Sequence, residues 1–276
     1  MKGLLLLLPL LFVSCADDNF RRVEVLNDFR VLGIVTTDPE VSAAGDVDVY
    51  PYVSDPNGGG RRVDGTYEFC RDPGIAFGAT PSCVGVAGAV TLSYSINFSS
   101  ESDFATRGYT GQAATPATVT VPASIFTGSA SRAQFNGIAM IVVFRFNVDG
   151  REVTAFRRIV ATNRGATNDN PAPPALNLNG NPFGATKPVK GDVLTVSPLN
   201  DEETYQVQTV DGAIESRAES YEVALYVSQG ELDRSKISIN ESSEFKESST
   251  SSRSFTAVVM IRDERGGLSF TREFIP

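Results

Sequence analysis

The stretch GIAMIVVFRFNVDGREVTAFRRIVAT, residues 137–162, constrains the fold more than any other part of the chain. Ile138, Met140, Val142, Phe144, Phe146 and Val148 recur at every second position, which is the period of a strand and not of a helix. Asp149-Gly150 then supplies a two-residue turn of the kind that accepts positive φ, so the segment predicts a β-hairpin with one strongly apolar face. Such a face must be buried against a second layer. The chain closes on a similar pattern, SFTAVVMIRDERGGLSFTREFI at 254–275, with Gly266 and Gly267 in the turn. Shorter strands are predicted at 29–36, 46–53, 66–69, 89–98, 117–121, 192–197 and 221–228, and one short helical turn near Pro122–Phe126. Many short strands separated by Gly, Pro and Asp, without a sustained helical period, predict an all-β protein built of sandwiches.

The two hairpins belong to an internal repeat. Gly-Asp-Val occurs at 45–47 and at 191–193, Tyr67-Glu68 answers Tyr221-Glu222, and each half ends on its long hairpin. Three correspondences in one order predict two copies of a single fold. Between them, RGATNDNPAPPALN at 164–177 is rich in Pro and Asn and reads as a semi-extended linker. The expected organisation is an immunoglobulin-like β-sandwich with loop insertions over 23–163, a linker over 164–175 and a second immunoglobulin-like sandwich over 176–276. The serine-rich run 238–254 reads as a mobile polar loop.

Before these units lies MKGLLLLLPLLFVSCADD. Its apolar run, Leu4 to Val13, would reach about 15 Å as a helix, half of the roughly 30 Å needed to cross a bilayer. A positive charge at Lys2, an apolar stretch and small residues at a boundary give an export signal over 1–14. Leu11-Phe12-Val13-Ser14-Cys15 resembles the lipobox of bacterial lipoproteins, with Phe12 and Val13 departing from its strictest form. That resemblance implies cleavage before Cys15, a diacylglycerol on its sulfur, and a lipidated tether over 15–22. Several acyl chains on one residue make a stable anchor where a single chain holds weakly. Ala16 lacks the aspartate of inner-membrane retention, which implies delivery to the outer membrane, facing either the periplasm or the cell surface. With Cys15 lipidated, Cys70 and Cys83 remain in an oxidising compartment, separated by a Pro- and Gly-punctuated loop, and are expected to form a disulfide. A zinc site would need four ligands, and two cysteines without any histidine fall short of that.

Catalytic patterns are scarce. The chain has no histidine, so Ser-His and Cys-His nucleophiles and His-ligated metals are excluded. SDPNGGGRR at 54–62 lacks the strand-to-helix setting and the Lys-Ser/Thr of a phosphate loop. A net charge of −9 argues against nucleic-acid partners. Asn168-Asp169-Asn170-Pro171 resembles the inter-domain calcium segment of cadherins, and Asp46 and Asp48 share one strand face, so calcium is the one cofactor considered. Against it, the cadherin Asp-Arg-Glu is only shadowed by Asp233-Arg234-Ser235.

Arg30-Val31-Leu32-Gly33-Ile34, the Gly-Asp-Val strands, Thr66-Tyr67-Glu68-Phe69-Cys70 and Arg262-Asp263-Glu264-Arg265-Gly266-Gly267 resemble signatures of Gram-negative lipoproteins with tandem Ig-like or PKD-like modules. The resemblance implies a fold and an address without an activity. Such modules often carry a core tryptophan; this chain has none, so Tyr67 or Phe69 must fill that place. The functional expectation is a non-enzymatic, outer-membrane-anchored protein that binds a protein or glycan partner. The alternatives are a structural spacer of the envelope and a carbohydrate-binding lipoprotein using its eight tyrosines.

Overall fold

The computed structural model describes residues 24–97, 110–113, 115–165, 167–197, 203–250 and 254–276. Half the chain, 51%, is strand and 3% is helix, so the fold is all-β. The first half contains β1 (Arg30–Thr36), β2 (Glu40–Val41), β3 (Asp46–Ser54), β4 (Arg62–Arg71), β5 (Val90–Asn97), β6 (Thr110–Gln112), β7 (Ala117–Thr120), β8 (Ile138–Val148) and β9 (Arg151–Ala161). A short helix, α1 (Ser131–Asn136), precedes β8. The second half contains β10 (Leu176–Leu178), β11 (Asn181–Pro182), β12 (Val193–Val196), β13 (Thr204–Gln208), β14 (Ile214–Ala218), β15 (Tyr221–Val227), β16 (Glu231–Leu232), β17 (Lys236–Ile237), β18 (Ser242–Glu247), β19 (Phe255–Asp263) and β20 (Leu268–Ile275).

These strands make two sandwiches. In the first, β1 and β3 pair, β6 and β7 both join β3, and this sheet faces a second one ordered β2-β9-β8-β4-β5. In the second, a sheet ordered β11-β10-β12-β18-β16 faces one ordered β17-β15-β19-β20. β13 and β14 form a separate two-stranded ribbon. Pairing is antiparallel apart from β2 on β9 and a bridge between Val25 and Val227. The repeat read from the sequence recurs in this topology: β3 begins after Gly45 and β12 after Gly191-Asp192, while Tyr67 on β4 and Tyr221 on β15 each pair with the first strand of a long hairpin.

The alternation in β8 works as expected. Ile138, Met140, Val142, Phe144, Phe146 and Val148 are all buried in the first core, packed against Val47, Val49 and Val53 of β3. The missing tryptophan is replaced by a cluster of smaller rings: Tyr67, Tyr94, Phe144 and Phe146, with centroids 5.0–6.2 Å apart. Burial of each such side chain stabilises by about 1.5–3 kcal/mol. What alternation did not explain is why Ile141 and Val143, on the outer face of β8, are apolar. The loop closed by the Cys70–Cys83 disulfide and the residues just after it fold over them, adding Ile75 and Val86 to a small satellite core. Glu68 secures this flap, accepting from the Cys83 amide at 2.7 Å and from Arg145 Nε at 3.0 Å.

Two local expectations need correction, and one element was not expected at all. The run 238–254 contains strand β18, whose Phe245 and Ser243 are fully buried; alternation on a short strand at the sheet interior outweighs its serine-rich composition. Residues 123–128 form turns, and the helix lies further on, at Ser131–Asn136. The ribbon β13–β14 had no apolar period to reveal it, because all of β14 is exposed.

Replacing Cys70 and Cys83 together by Ser should lower the unfolding free energy by about 3 kcal/mol, the loop-closure value for a bridge of this span. Urea denaturation of the two forms measures it.

Candidate functional site

The two sandwiches are docked through an apolar joint between the sheet that holds β1 and β3 and the sheet that holds β15, β19 and β20. Leu26, Leu32 and Tyr52 of the first half meet Ala224, Val258, Met260 and Leu268 of the second, and the rings of Tyr52 and Phe270 lie 3.9 Å apart. The segment before β1 reinforces the contact, with Leu26 N donating to Val227 O at 2.7 Å and Val227 N to Glu24 O at 2.8 Å.

Beside this joint, a polar node is buried between the halves. Glu40, placed by the two-residue strand β2, is 3% exposed. It accepts from Arg164 Nη2, from Arg265 through Nε at 3.2 Å and Nη2 at 2.9 Å, and from the Asn168 amide at 3.2 Å. Arg265 then donates to Glu219 at 2.9 Å and covers the ring of Tyr205, 4.8 Å from its centroid. Asp263 accepts from the amides of Arg265 and Gly267 and from Asn168 Nδ2. The side chains of Arg164 and Arg265 keep only 8% and 9% of their exposure.

The segment 164–175 is therefore a strap and not a free spacer. Its prolines cannot donate to a ladder, and none of its described residues lies in a named strand, yet its polar atoms tie both halves. Asn170 donates to Thr36 O and accepts from Leu268 N, while Ser269 and Thr271 of β20 donate to the carbonyls of Pro171 and Pro174. Gly267 makes the close approach possible: a Cβ there would lie 2.0 Å from Asp263 Oδ2 and 2.8 Å from the Asp169 carbonyl.

The node forms the floor of a cleft of about 470 Å³, within the range of small-ligand sites. Its walls are Phe135 of α1, Thr167 of the strap, and Thr204, Tyr205, Gln206 and Ser216 of the β13–β14 ribbon. The ribbon is held in place by Asn136, which exchanges two hydrogen bonds with the Gln208 backbone at 2.7 and 2.8 Å. Arg164 Nη1 donates to Gln206 O, and Tyr205 OH donates to Glu264 at 2.7 Å. The cleft therefore offers hydroxyls, an amide and two rings on backbone tied by hydrogen bonds, a surface suited to binding. Burial first, then the charge of Asp263, pushes the Glu219 carboxyl up to about 7. Arg265 pulls the other way but divides its fork between Glu219 and Glu40. For Arg265 itself burial opposes the charge, and Glu40 and Glu219 outweigh it, holding the guanidinium above its usual range.

Residues singled out in the sequence are placed as follows. Cys70 and Cys83 are bonded to each other; Cys15 lies outside the described residues. Asn168 and Asn170 spend their side-chain amides on Asp263 and Thr36, and Asp46 and Asp48 accept from Thr120 and Thr118 across the sheet. Asp233 accepts from Ser243 and the Glu244 amide. These acids are not gathered: among the described residues no group of three or more His, Cys, Asp or Glu is placed to hold a metal ion. The node itself was missed. Glu40 stands in Asp-Pro-Glu-Val and Arg265 in a Gly-Gly turn, and neither carries a periodic signal.

No protein-family model and no curated protein matches the chain. Among solved structures it is similar to red sea bream transglutaminase, at 10% identity and a TM-score of 0.25, over 93% of this chain and 32% of that one. It is also similar to Escherichia coli alpha-2-macroglobulin activated by porcine elastase, at 13% identity and a TM-score of 0.27, over 89% of this chain and 22% of that one. The chain spans a third or less of the length of both proteins, and likenesses of this degree carry neither their activities nor their partners.

Glu40→Ala should destabilise by about 3–5 kcal/mol, because two buried guanidinium groups lose their shared anion. Gly267→Ala should cost about 1–3 kcal/mol through overpacking against backbone. For Glu219, the folded carboxyl binds its proton more tightly than the unfolded one, whose value is 4.5. Its contribution is full below pH 4.5 and is lost as pH rises to about 7. Unfolding free energy should fall across that window by at most about 1.4 kcal/mol per pH unit, and Glu219→Gln should remove this component. Denaturant titrations at stepped pH test all three.

Proposed function

We propose that this chain is a non-enzymatic binding protein of the bacterial envelope, held at the outer membrane by lipid on Cys15, which engages a protein or glycan partner through the cleft between its two sandwiches. The observation that carries the reading is the cleft of about 470 Å³ whose floor is an ion network and whose walls are ring, hydroxyl and amide side chains. A ligand there meets groups already fixed by Glu40 and Asn136, so little ordering entropy opposes binding. Tyr205 is the natural platform for a sugar face or a peptide side chain, since its ring is positioned by Arg265 on one side. A second reading, a rigid spacer of the envelope, is supported by the apolar joint, which makes the two sandwiches one unit.

Labelling of growing cells with a palmitate analogue should mark the wild-type protein and leave Cys15→Ala unmarked and released from the membrane fraction. Binding to envelope glycans and to solubilised envelope proteins should saturate, and Tyr205→Ala should weaken it about tenfold, which corresponds to about 1.4 kcal/mol. Saturable binding unaffected by changes at Tyr205 and Gln206 would move the site elsewhere. Absence of any ligand, with a loss of envelope integrity in a deletion strain, would favour the spacer.

A further inference from the structure

The turn that gives Arg265 to the node gives Gly266 to a second cleft, of about 210 Å³, between the sandwiches. Ile34, Leu268 and the exposed Phe156 supply apolar walls, and three arginines, Arg157, Arg158 and Arg262, supply the polar ones. The chain as a whole carries a net charge of −9, so this concentration of cations is local.

Arg157 is the anomalous residue. On β9 the side chains of Val153, Ala155, Ile159 and Ala161 belong to the first core, and the strand period puts Arg157 on that same face. An arginine therefore stands where the pattern calls for an apolar residue. Its Nε and Nη2 are withdrawn from solvent and have no hydrogen-bond partner. Nη2 reaches to 3.9 Å from where a Gly266 Cβ would be, which places the fork beside the cleft lining. The acid that acts on it is Asp263, but both oxygens of Asp263 are already engaged, by the Arg265 and Gly267 amides and by Asn168. Burial, and then the like charge of Arg262, lower Arg157 to about 10, which still leaves it charged at neutral pH. Arg158 is satisfied by Asp72 at 2.6 Å, and Arg262 faces Glu222 across β15.

A charged guanidinium donor left without an acceptor away from water is costly. A planar fork of donors matches the oxygens of a carboxylate or phosphate. We propose that this cleft binds a small organic anion, with its oxyanion group held between Arg157 and Arg262 and its carbon body against Ile34, Leu268 and Phe156. Binding requires Arg157 to turn its fork toward the cleft it already lines, a side-chain change within a fixed backbone. The site is separate from the larger cleft and stands or falls independently of the function proposed for it.

The test is thermal unfolding and calorimetric titration of the full-length chain in detergent, with inorganic phosphate and with benzoate as probes, at ionic strength held constant with sodium chloride. At least one probe should bind saturably and raise the melting temperature. Arg262→Gln, which changes an exposed strand residue, should weaken that binding at least tenfold, and Arg157→Gln should abolish it. Phosphate binding alone identifies a phosphate-type ligand, and benzoate binding alone a carboxylate-type one. A rise that never saturates, as general salt exclusion produces, would overturn the proposal. So would binding that Arg262→Gln leaves unchanged.

Discussion

The arrangement of this protein depends on one carboxylate. Glu40 accepts hydrogen bonds from Arg164 in the strap, from Arg265 in the second sandwich and from the Asn168 amide, while its own strand pairs with β9 of the first. Taking such charges out of water costs several kcal/mol per ion, and only complete pairing offsets it. Here Glu40 itself is well paired, although Arg164 Nε and Asn168 Oδ1 of the node have no partner, and the bonds reach residues of both halves. The apolar joint around Tyr52 and Met260 supplies the attraction, which is non-directional. The ion network supplies the register.

That division of labour bears on function. A pair of sandwiches joined by a loose linker would present only its loop tips. Locking them with the Asp263–Leu268 turn between them creates two clefts from surfaces that neither half could offer alone, with Arg265 on one side of the turn and Gly266 on the other. The groups that line them sit on strands, on α1, on the Asp263–Leu268 turn and on a strap bonded at both edges, which supports preformed clefts. Burial and the neighbouring charge of Asp263 push the Glu219 carboxyl at this junction up to about 7.

The sandwich architecture was legible because burying one sheet face imposes a period of two, and the long hairpins at 138–161 and 255–275 carry it without interruption. The Cys70–Cys83 bridge is present as the cysteine count led one to expect. Turn chemistry at Asp149-Gly150 marked the first hairpin correctly, both residues taking positive φ. Short elements without a period were not legible: β2 has two residues, and β14 is exposed throughout. Composition misled where a strand was serine-rich, at 242–247, and it gave no sign that the semi-extended segment 164–175 would be bonded to both halves.

By itself, then, the sequence determined what each segment buries, because hydrophobic periodicity is a local property of the chain. It also determined the fold class and the repeat. Only the tertiary structure decided where charges meet. Glu40 and Arg265 are 225 residues apart, and no local pattern distinguishes them from the solvated acids and arginines elsewhere in the chain. The same holds for Arg157, which became anomalous only once β9 was seen to turn its side chain inward. Charge pairing across such distances depends on how two completed sandwiches dock, and that is written in their surfaces and not in any one stretch of residues.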